Sequence, residues 1–189
     1  MTVGFAMCGS FCTYDRVFPE MEILAREYTV IPIFSQAASQ IDSRFGTASE
    51  HIQRATQICG RPPIMTIAQA EPIGPRKLLD ALVIAPCTGN TLAKLAHSIA
   101  DGPVTMAAKS HLRNGGPVIL AVSTNDALAG AAENIGRLMA RKHYFFVPFG
   151  QDDPENKPTS AVADFSQIPK TLELALSGRQ IQKIWIEKK

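Results

Sequence analysis

Asp80-Ala-Leu-Val-Ile-Ala-Pro-Cys-Thr-Gly-Asn-Thr-Leu-Ala-Lys-Leu-Ala-His-Ser-Ile-Ala-Asp101 is the stretch whose reading decides the fold. Residues 81–85 form an unbroken apolar run, which suits a strand buried on both faces of a parallel sheet. Residues 86–91 are a turn rich in hydrogen-bonding groups. Leu92, Leu95, Ala96 and Ile99 then recur at i, i+3, i+4, i+7, one face of a helix. A strand, a polar turn and a helix in that order put the turn at the carboxyl edge of an open α/β sheet, where such folds bind ligands.

The same grammar repeats outward. Residues 3–7 read as a first strand ending in Cys8-Gly9-Ser10, and Val17, Met21, Leu24 and Tyr28 mark a helix that starts near Pro19 or is kinked there. Residues 29–34, with Pro32 inside, form a second strand that stops at Ser35, so the unit should be a right-handed crossover. Residues 48–58 read as a helix ended by Gly60-Arg61-Pro62-Pro63. Residues 64–67 suggest a short strand and 69–76 a loop. Beyond Asp101-Gly102-Pro103 the pattern predicts a short helix to Leu112, a turn at Asn114-Gly-Gly-Pro117 and a buried strand over 118–122 closed by Ser123-Thr124-Asn125. Leu128, Ala131, Ala132, Ile135 and Leu138 predict the next helix, residues 143–147 a strand, 150–158 a polar loop, and Ile168, Leu172, Ala175 and Leu176 a last helix. The tail 181–189 ends in basic residues and carries Trp185; it reads equally as a docking segment or a frayed terminus. The alternation predicts an α/β fold, a single doubly wound, mostly parallel sheet with helices on both faces, in three flavodoxin- or Rossmann-like layers.

At 189 residues the chain can build one full core but not two comfortable domains. Its net charge of +2 offers no electrostatic case for nucleic acid or an anionic membrane. No apolar run reaches the roughly 18 residues of a membrane span, and no signal peptide is evident. The cysteines, Cys8, Cys12, Cys59 and Cys87, show no metal-type spacing and the histidines are scattered, so no metal site is expected. A reduced, cytoplasmic chain is the simplest reading.

Ends of parallel strands gather on one edge, with the N-termini of the following helices. Ser10, Ser35, Thr88 and Ser123 bring hydroxyls there, and free N–H groups with the helix dipole suit a phosphate. Each residue alone could be a simple helix cap; four on one edge favour a phosphate-bearing ligand. The dinucleotide G-x-G-x-x-G is missing, because only Gly9 stands at the first turn.

The segment Ala85-Pro-Cys-Thr-Gly-Asn-Thr91, with Lys94 and Ile99-Ala-Asp101, resembles the A-P-A-T-A-N-T…K…I-A-D motif of the flavin-dependent cysteine decarboxylase superfamily. Within it the chain resembles the family of flavoprotein-like dipicolinate synthase subunits of spore-forming bacteria, through Val147-Pro-Phe-Gly-Gln-Asp-Asp-Pro154, Lys157-Pro158, Val162-Ala-Asp-Phe165 and Thr171-Leu-Glu173. The match covers residues 1–182, taken as one flavoprotein-like domain with 183–189 as a tail. The resemblance implies FMN as cofactor, its phosphate at Gly9, Ser10 and Ser35, with Phe11 as a further cofactor contact, its flavin along Cys87, Thr88 and Asn90, and Ser123 and Asn125 closing the other side. Asn90 and Asn125 would be the catalytic residues, facing a small dicarboxylate, with Lys109 or Arg113 as a basic contact. It further implies oxidation of a dihydrodipicolinate-type intermediate, the nicotinamide-binding A subunit of dipicolinate synthase as partner, and a homo-oligomer built on trimers. An alternative is a non-catalytic phosphate- or FMN-binding subunit that stabilises or activates that partner. The decarboxylase His-Ile position is Pro72-Ile73 here, and proline has no proton to exchange, so decarboxylation is not expected. His51 and His97 are the substitutes to consider.

Overall fold

The computed structural model describes residues 1–187. Five parallel strands form the sheet: β1 (Thr2–Met7), β2 (Thr29–Phe34), β3 (Ala81–Cys87), β4 (Val118–Thr124) and β5 (Tyr144–Phe146), in the order β2-β1-β3-β4-β5. All seven residues of β3 are buried, because β1 and β4 flank it and helices cover the sheet. That explains an apolar run without alternation. Each fully buried side chain such as Val83 or Ile84 contributes about 1.5–3 kcal/mol relative to exposure.

Only the amino half of β4 pairs with β5. Its last residues, Ser123 and Thr124, pair antiparallel with β7 (Ala161–Ala163), which pairs in turn with β6 (Phe149–Gly150). The sheet is therefore mostly parallel with an antiparallel corner beside the carboxyl ends of the strands.

Helix α1 (Tyr14–Glu27) packs with α8 (Ile168–Leu176) and α3 (Ala48–Cys59), while α5 (Gly89–Ala96), α6 (Pro103–Leu112) and α7 (Ala132–Met139) make a second packed group. The β1-to-β2 crossover that carries α1 runs along the sheet opposite to the crossovers that carry α5, α6 and α7, so a common right hand puts α1 and those three helices on opposite faces, with α3 beside the edge strand β2. The local starts follow ordinary capping. Thr47 and Glu50 close a reciprocal capping box on α3, which Gly60 ends at φ 66°. Ser35 caps α2 (Gln36–Gln40), its hydroxyl accepting from the Ala38 N–H at 3.1 Å. Helix α1 crosses Pro19, beginning five residues earlier at Tyr14.

Four expectations change in detail. Pro86 and Cys87 extend β3, so the polar turn is shorter than its composition suggests. Ile99 and Leu128 lie beyond the ends of α5 and α7 and are 46% and 49% exposed; their apolar spacing was fortuitous. Residues 64–67 give a single bridge, Ile64 to Ile33, and then Thr66 and Gln69 form a capping box that starts α4 (Ile67–Ala70) where a strand and loop were expected. The tail docks on its own chain: the Phe149 N–H donates to the Ile184 carbonyl, the Ile186 N–H donates to Phe149, and the Trp185 ring lies 4.6 Å from that of Phe149. Its basic end, Lys188 and Lys189, lies outside the described residues. Among the described residues no helix is long and apolar enough to cross a membrane.

Candidate functional site

The carboxyl ends of β1, β3 and β4 meet in a small web of hydroxyl and thiol contacts. The Ser10 and Ser123 hydroxyls lie 2.7 Å apart, bridging the turn after β1 to the end of β4. Thr91 of α5 donates to the Cys8 sulfur at 3.3 Å, and Thr88 and Thr91 share a contact of 3.1 Å. Tyr14 at the start of α1 donates to the Cys8 carbonyl at 2.8 Å, fixing the first turn from below. Thr88 caps α5 as the composition of the turn predicted.

Two clefts open on either side of this web, and Gly9 and Thr88 belong to both. The first, of about 570 Å³, runs between α2, α5 and the start of α6, past Gly9, Ser35, Thr88 and Asn90. The second, of about 720 Å³, runs toward the antiparallel corner, past Gly9, Ser10, Phe11, Ser123 and Asn125. The site residues expected from sequence thus come together, with one division: Asn90 faces the first cleft and Asn125 the second. The Cys87 side chain is fully buried and lines neither cleft.

Burial sets the chemistry of the cysteines. It pushes the Cys8 thiol up to about 11 despite the Thr91 hydrogen bond, and holds Cys87 well above its ordinary value, with Cys8 adding to the effect. Both stay protonated near neutral pH, so they fill space and do not act as nucleophiles.

The other residues considered lie elsewhere. Lys109 lines a separate pocket with Arg141 and Lys142, and Arg113 caps the far end of α6, so neither basic residue reaches the clefts. His51 is buried against Tyr14 and Phe18, with ring centroids 4.7 and 6.0 Å away; burial lowers its pKa. His97 caps the exposed C-terminal end of α5. Pro72 sits in a short 3-10 turn, Glu71–Ile73, packed on α6.

Sequence reasoning gave no site role to three cations, Arg16, Arg44 and Lys157, all of which line the second cleft, although Lys157 stands in a stretch that carries the family resemblance. Arg44 comes from a loop between α2 and α3 and Lys157 from the polar loop after β6, and neither position has a periodicity that could have shown it. Lys94 and Asp101 of the first cleft were quoted as motif residues; they form an ion pair at 2.9 Å.

The fit to a flavin mononucleotide can be judged from these donors. The first-turn N–H groups of α2 and α5 have no intrahelical backbone partners, and among the described residues the Ser35 and Thr88 hydroxyls engage only Ala38 and Thr91. Gly9 lies so close to α2 that a Cβ there would stand 3.3 Å from the Ala37 Cβ, tight enough to crowd the approach. Neutral hydroxyls, open backbone donors and a backbone without a side chain are what a phosphate monoester requires, so the residues fit. Among the described residues no group of three or more His, Cys, Asp or Glu side chains is placed to hold a metal ion.

This combination, a parallel α/β sheet with a hydroxyl-lined carboxyl edge, is that of the flavodoxin-like α/β fold of the flavoproteins. The chain belongs to the family described as Flavoprotein, whose family model matches residues 1–172. It is 45% identical over 186 residues to the B subunit of dipicolinate synthase from Bacillus subtilis (strain 168), a match covering 98% of this chain and 93% of that protein. The crystal structure of the dipicolinate synthase B subunit from Bacillus halodurans C superimposes with a TM-score of 0.91 at 46% identity, covering 100% of this chain and 97% of the other. Burkholderia xenovorans DmrB in complex with FMN, described as a cubic protein cage for redox transfer, shares the fold at a TM-score of 0.67 and 18% identity, covering 93% and 95% of the two chains.

Proposed function

We propose that this chain is the flavoprotein-type subunit of a dipicolinate synthase, binding FMN and oxidising a dihydrodipicolinate-type intermediate to pyridine-2,6-dicarboxylate for spore formation. The observation that carries this reading is the meeting of two clefts at Gly9 and Thr88, with open helix N-termini on one side, in a chain so similar to the dipicolinate synthase B subunit. Gly9, Ser10, Phe11, Ser35, Thr88, Asn90 and Ser123 would hold the cofactor, whereas Cys87, buried and outside both clefts, would not touch it. FMN, when bound, supplies a two-electron acceptor.

The chain's own residues orient and enclose. The Asn90 and Asn125 amides, both exposed in their clefts, can each offer two N–H donors to a substrate carboxylate. Phe11 lends an apolar wall. Loss of one hydride and one proton turns a dihydropyridine into an aromatic ring, and aromaticity supplies the driving force, so no strong protein base is required. Pro72 in place of the decarboxylase histidine agrees with that economy.

The partner is the nicotinamide-dependent A subunit of dipicolinate synthase, and the chain assembles as a trimer or multiple of trimers in the cytoplasm. The second reading, with which Pro72 agrees equally, is a non-catalytic phosphate- or FMN-binding subunit that stabilises or activates this partner. Purification with the A subunit, followed by visible spectra, tests both. The leading reading expects flavin absorbance that bleaches anaerobically when the dihydro intermediate is supplied. Flavin that binds without bleaching favours the second, and a protein that binds no FMN even in the presence of its partner ends the redox reading.

A further inference from the structure

The second cleft is unlike the first in charge. Arg16, Arg44 and Lys157 line it, and among its described lining residues Asp152 is the one carboxylate. Asp152 is already engaged: Ser160 donates to it at 2.6 Å and the Lys157 ammonium lies 3.7 Å away. In the first cleft the one lysine, Lys94, is matched by Asp101. A net positive cleft therefore sits beside a charge-balanced one that relies on hydroxyls and backbone donors.

The cations come from three separate elements, so the fold has gathered them. Arg16 stands near the start of α1, its guanidinium 5.0 Å from the centre of the Phe165 ring and 3.5 Å from the Ala163 carbonyl. Those contacts orient the planar group and leave most of its five N–H donors for a ligand. Arg44 lies 4.8 Å over the ring of Phe45, on the small loop closed by the Ser43 and Gly46 backbones. Phe11 and Phe45 add aromatic surface to the same cleft. Guanidinium forks match carboxylates two bonds at a time, and aromatic faces match a flat ring.

We infer that Arg16, Arg44 and Lys157 form a carboxylate clamp that makes the second cleft selective for a flat ring bearing two carboxylates. The inference rests on the substrate class proposed above and assigns the contacts that recognise it. Lys109 and Arg113, the basic residues the sequence suggested, have no part in it. The clamp acts on substrate binding, and the flavin phosphate is left to Gly9, Ser10 and Ser35, along the line where the two clefts meet.

Dipicolinate itself is the probe, with picolinate, which has a single carboxylate, as its control. Calorimetric titration of the full chain without flavin should show dipicolinate bound and picolinate bound much more weakly. Arg44→Ala and Lys157→Ala should each weaken dipicolinate about tenfold, with Arg44→Lys restoring part of the loss. Both side chains are exposed, so the variants should melt with the wild type. FMN affinity, read by quenching of flavin fluorescence, should change less than twofold in the same variants.

If FMN affinity falls and dipicolinate affinity does not, the cations hold the flavin phosphate and the inference is overturned. Equal binding of dipicolinate and picolinate, or no effect of either substitution, also overturns it. Failure of FMN to bind at all would sink the proposed redox function but leaves the flavin-free titration able to judge the clamp.

Discussion

Replacing Gly150 by alanine should release the C-terminal segment from the sheet while leaving the rest of the fold in place. A Cβ at this position would be driven into the Ile186 carbonyl oxygen, far inside the separation of about 3.3 Å at which carbon and oxygen ordinarily meet. The obstacle is backbone on both sides, so no side chain can swing aside. Relief requires the segment to move by about 1 Å or more. That breaks the Phe149–Ile184 and Ile186–Phe149 hydrogen bonds, now 2.9 and 3.2 Å, and the contact of Trp185 with Phe149. At about 1 kcal/mol for each hydrogen bond and about 1 kcal/mol for the aromatic pair, roughly 3 kcal/mol of contact is lost. The freed residues regain conformational entropy of about 1–2 kcal/mol each, so the global melting temperature should fall by only a few degrees. Trp185 is the chain's one tryptophan, which makes the local event visible. Acrylamide quenching of its fluorescence should rise, and trypsin should cut after Lys183, an exposed residue, at a much lower dose. Wild-type quenching and wild-type resistance at Lys183 would refute the reasoning.

Asn90→Ala should abolish turnover by the complex with the A subunit yet melt within about 1 °C of wild type, since Asn90 is exposed and surface changes cost within about ±0.5 kcal/mol; unchanged turnover removes it from the site. Ser123→Ala deletes the 2.7 Å partner of Ser10 inside the fold, and FMN affinity should drop about fivefold with a stability loss of about 1 kcal/mol, read by flavin fluorescence and urea unfolding. Burial lowers the pKa of His51 and of His111, and neither Nε2 atom has a hydrogen-bond partner among the described residues. The unfolded chain therefore binds protons that the folded chain refuses, and stability should fall as pH drops below about 6.5. Urea midpoints across about pH 5–8 check this, and His51→Phe should make the acid slope shallower. Thiol titration with a coloured disulfide reagent near pH 8, about the ordinary thiol pKa, should modify exposed Cys12 rapidly and leave Cys8 and Cys87 silent until urea is added; early reaction of Cys8 would contradict its burial.

The central strand, turn and helix were legible because each depends on neighbours in the chain. A run buried on both faces reads as continuous apolar residues, a helix face reads as a period of about 3.6, and a cap reads as a hydroxyl before that period. The same local rules misread Ile99 and Leu128, whose spacing continued a helix that the backbone had already left. Strand ends told which hydroxyls would share an edge, since parallel strands of one sheet all finish on one side.

What sequence alone determined about this protein is therefore its alternating architecture and the hydroxyl-lined edge from Gly9 through Ser35 and Thr88 to Ser123. Only the tertiary structure decided that this edge is split into two clefts, that Asn90 and Asn125 face different ones, and that Arg16, Arg44 and Lys157 converge on the second. It also decided that β6 and β7 turn antiparallel and that Gly150 must stay bare for Ile186 to pass. These are contacts between segments far apart in the chain. Their geometry is set by packing and register across the whole sheet, and no periodicity within any one segment carries it.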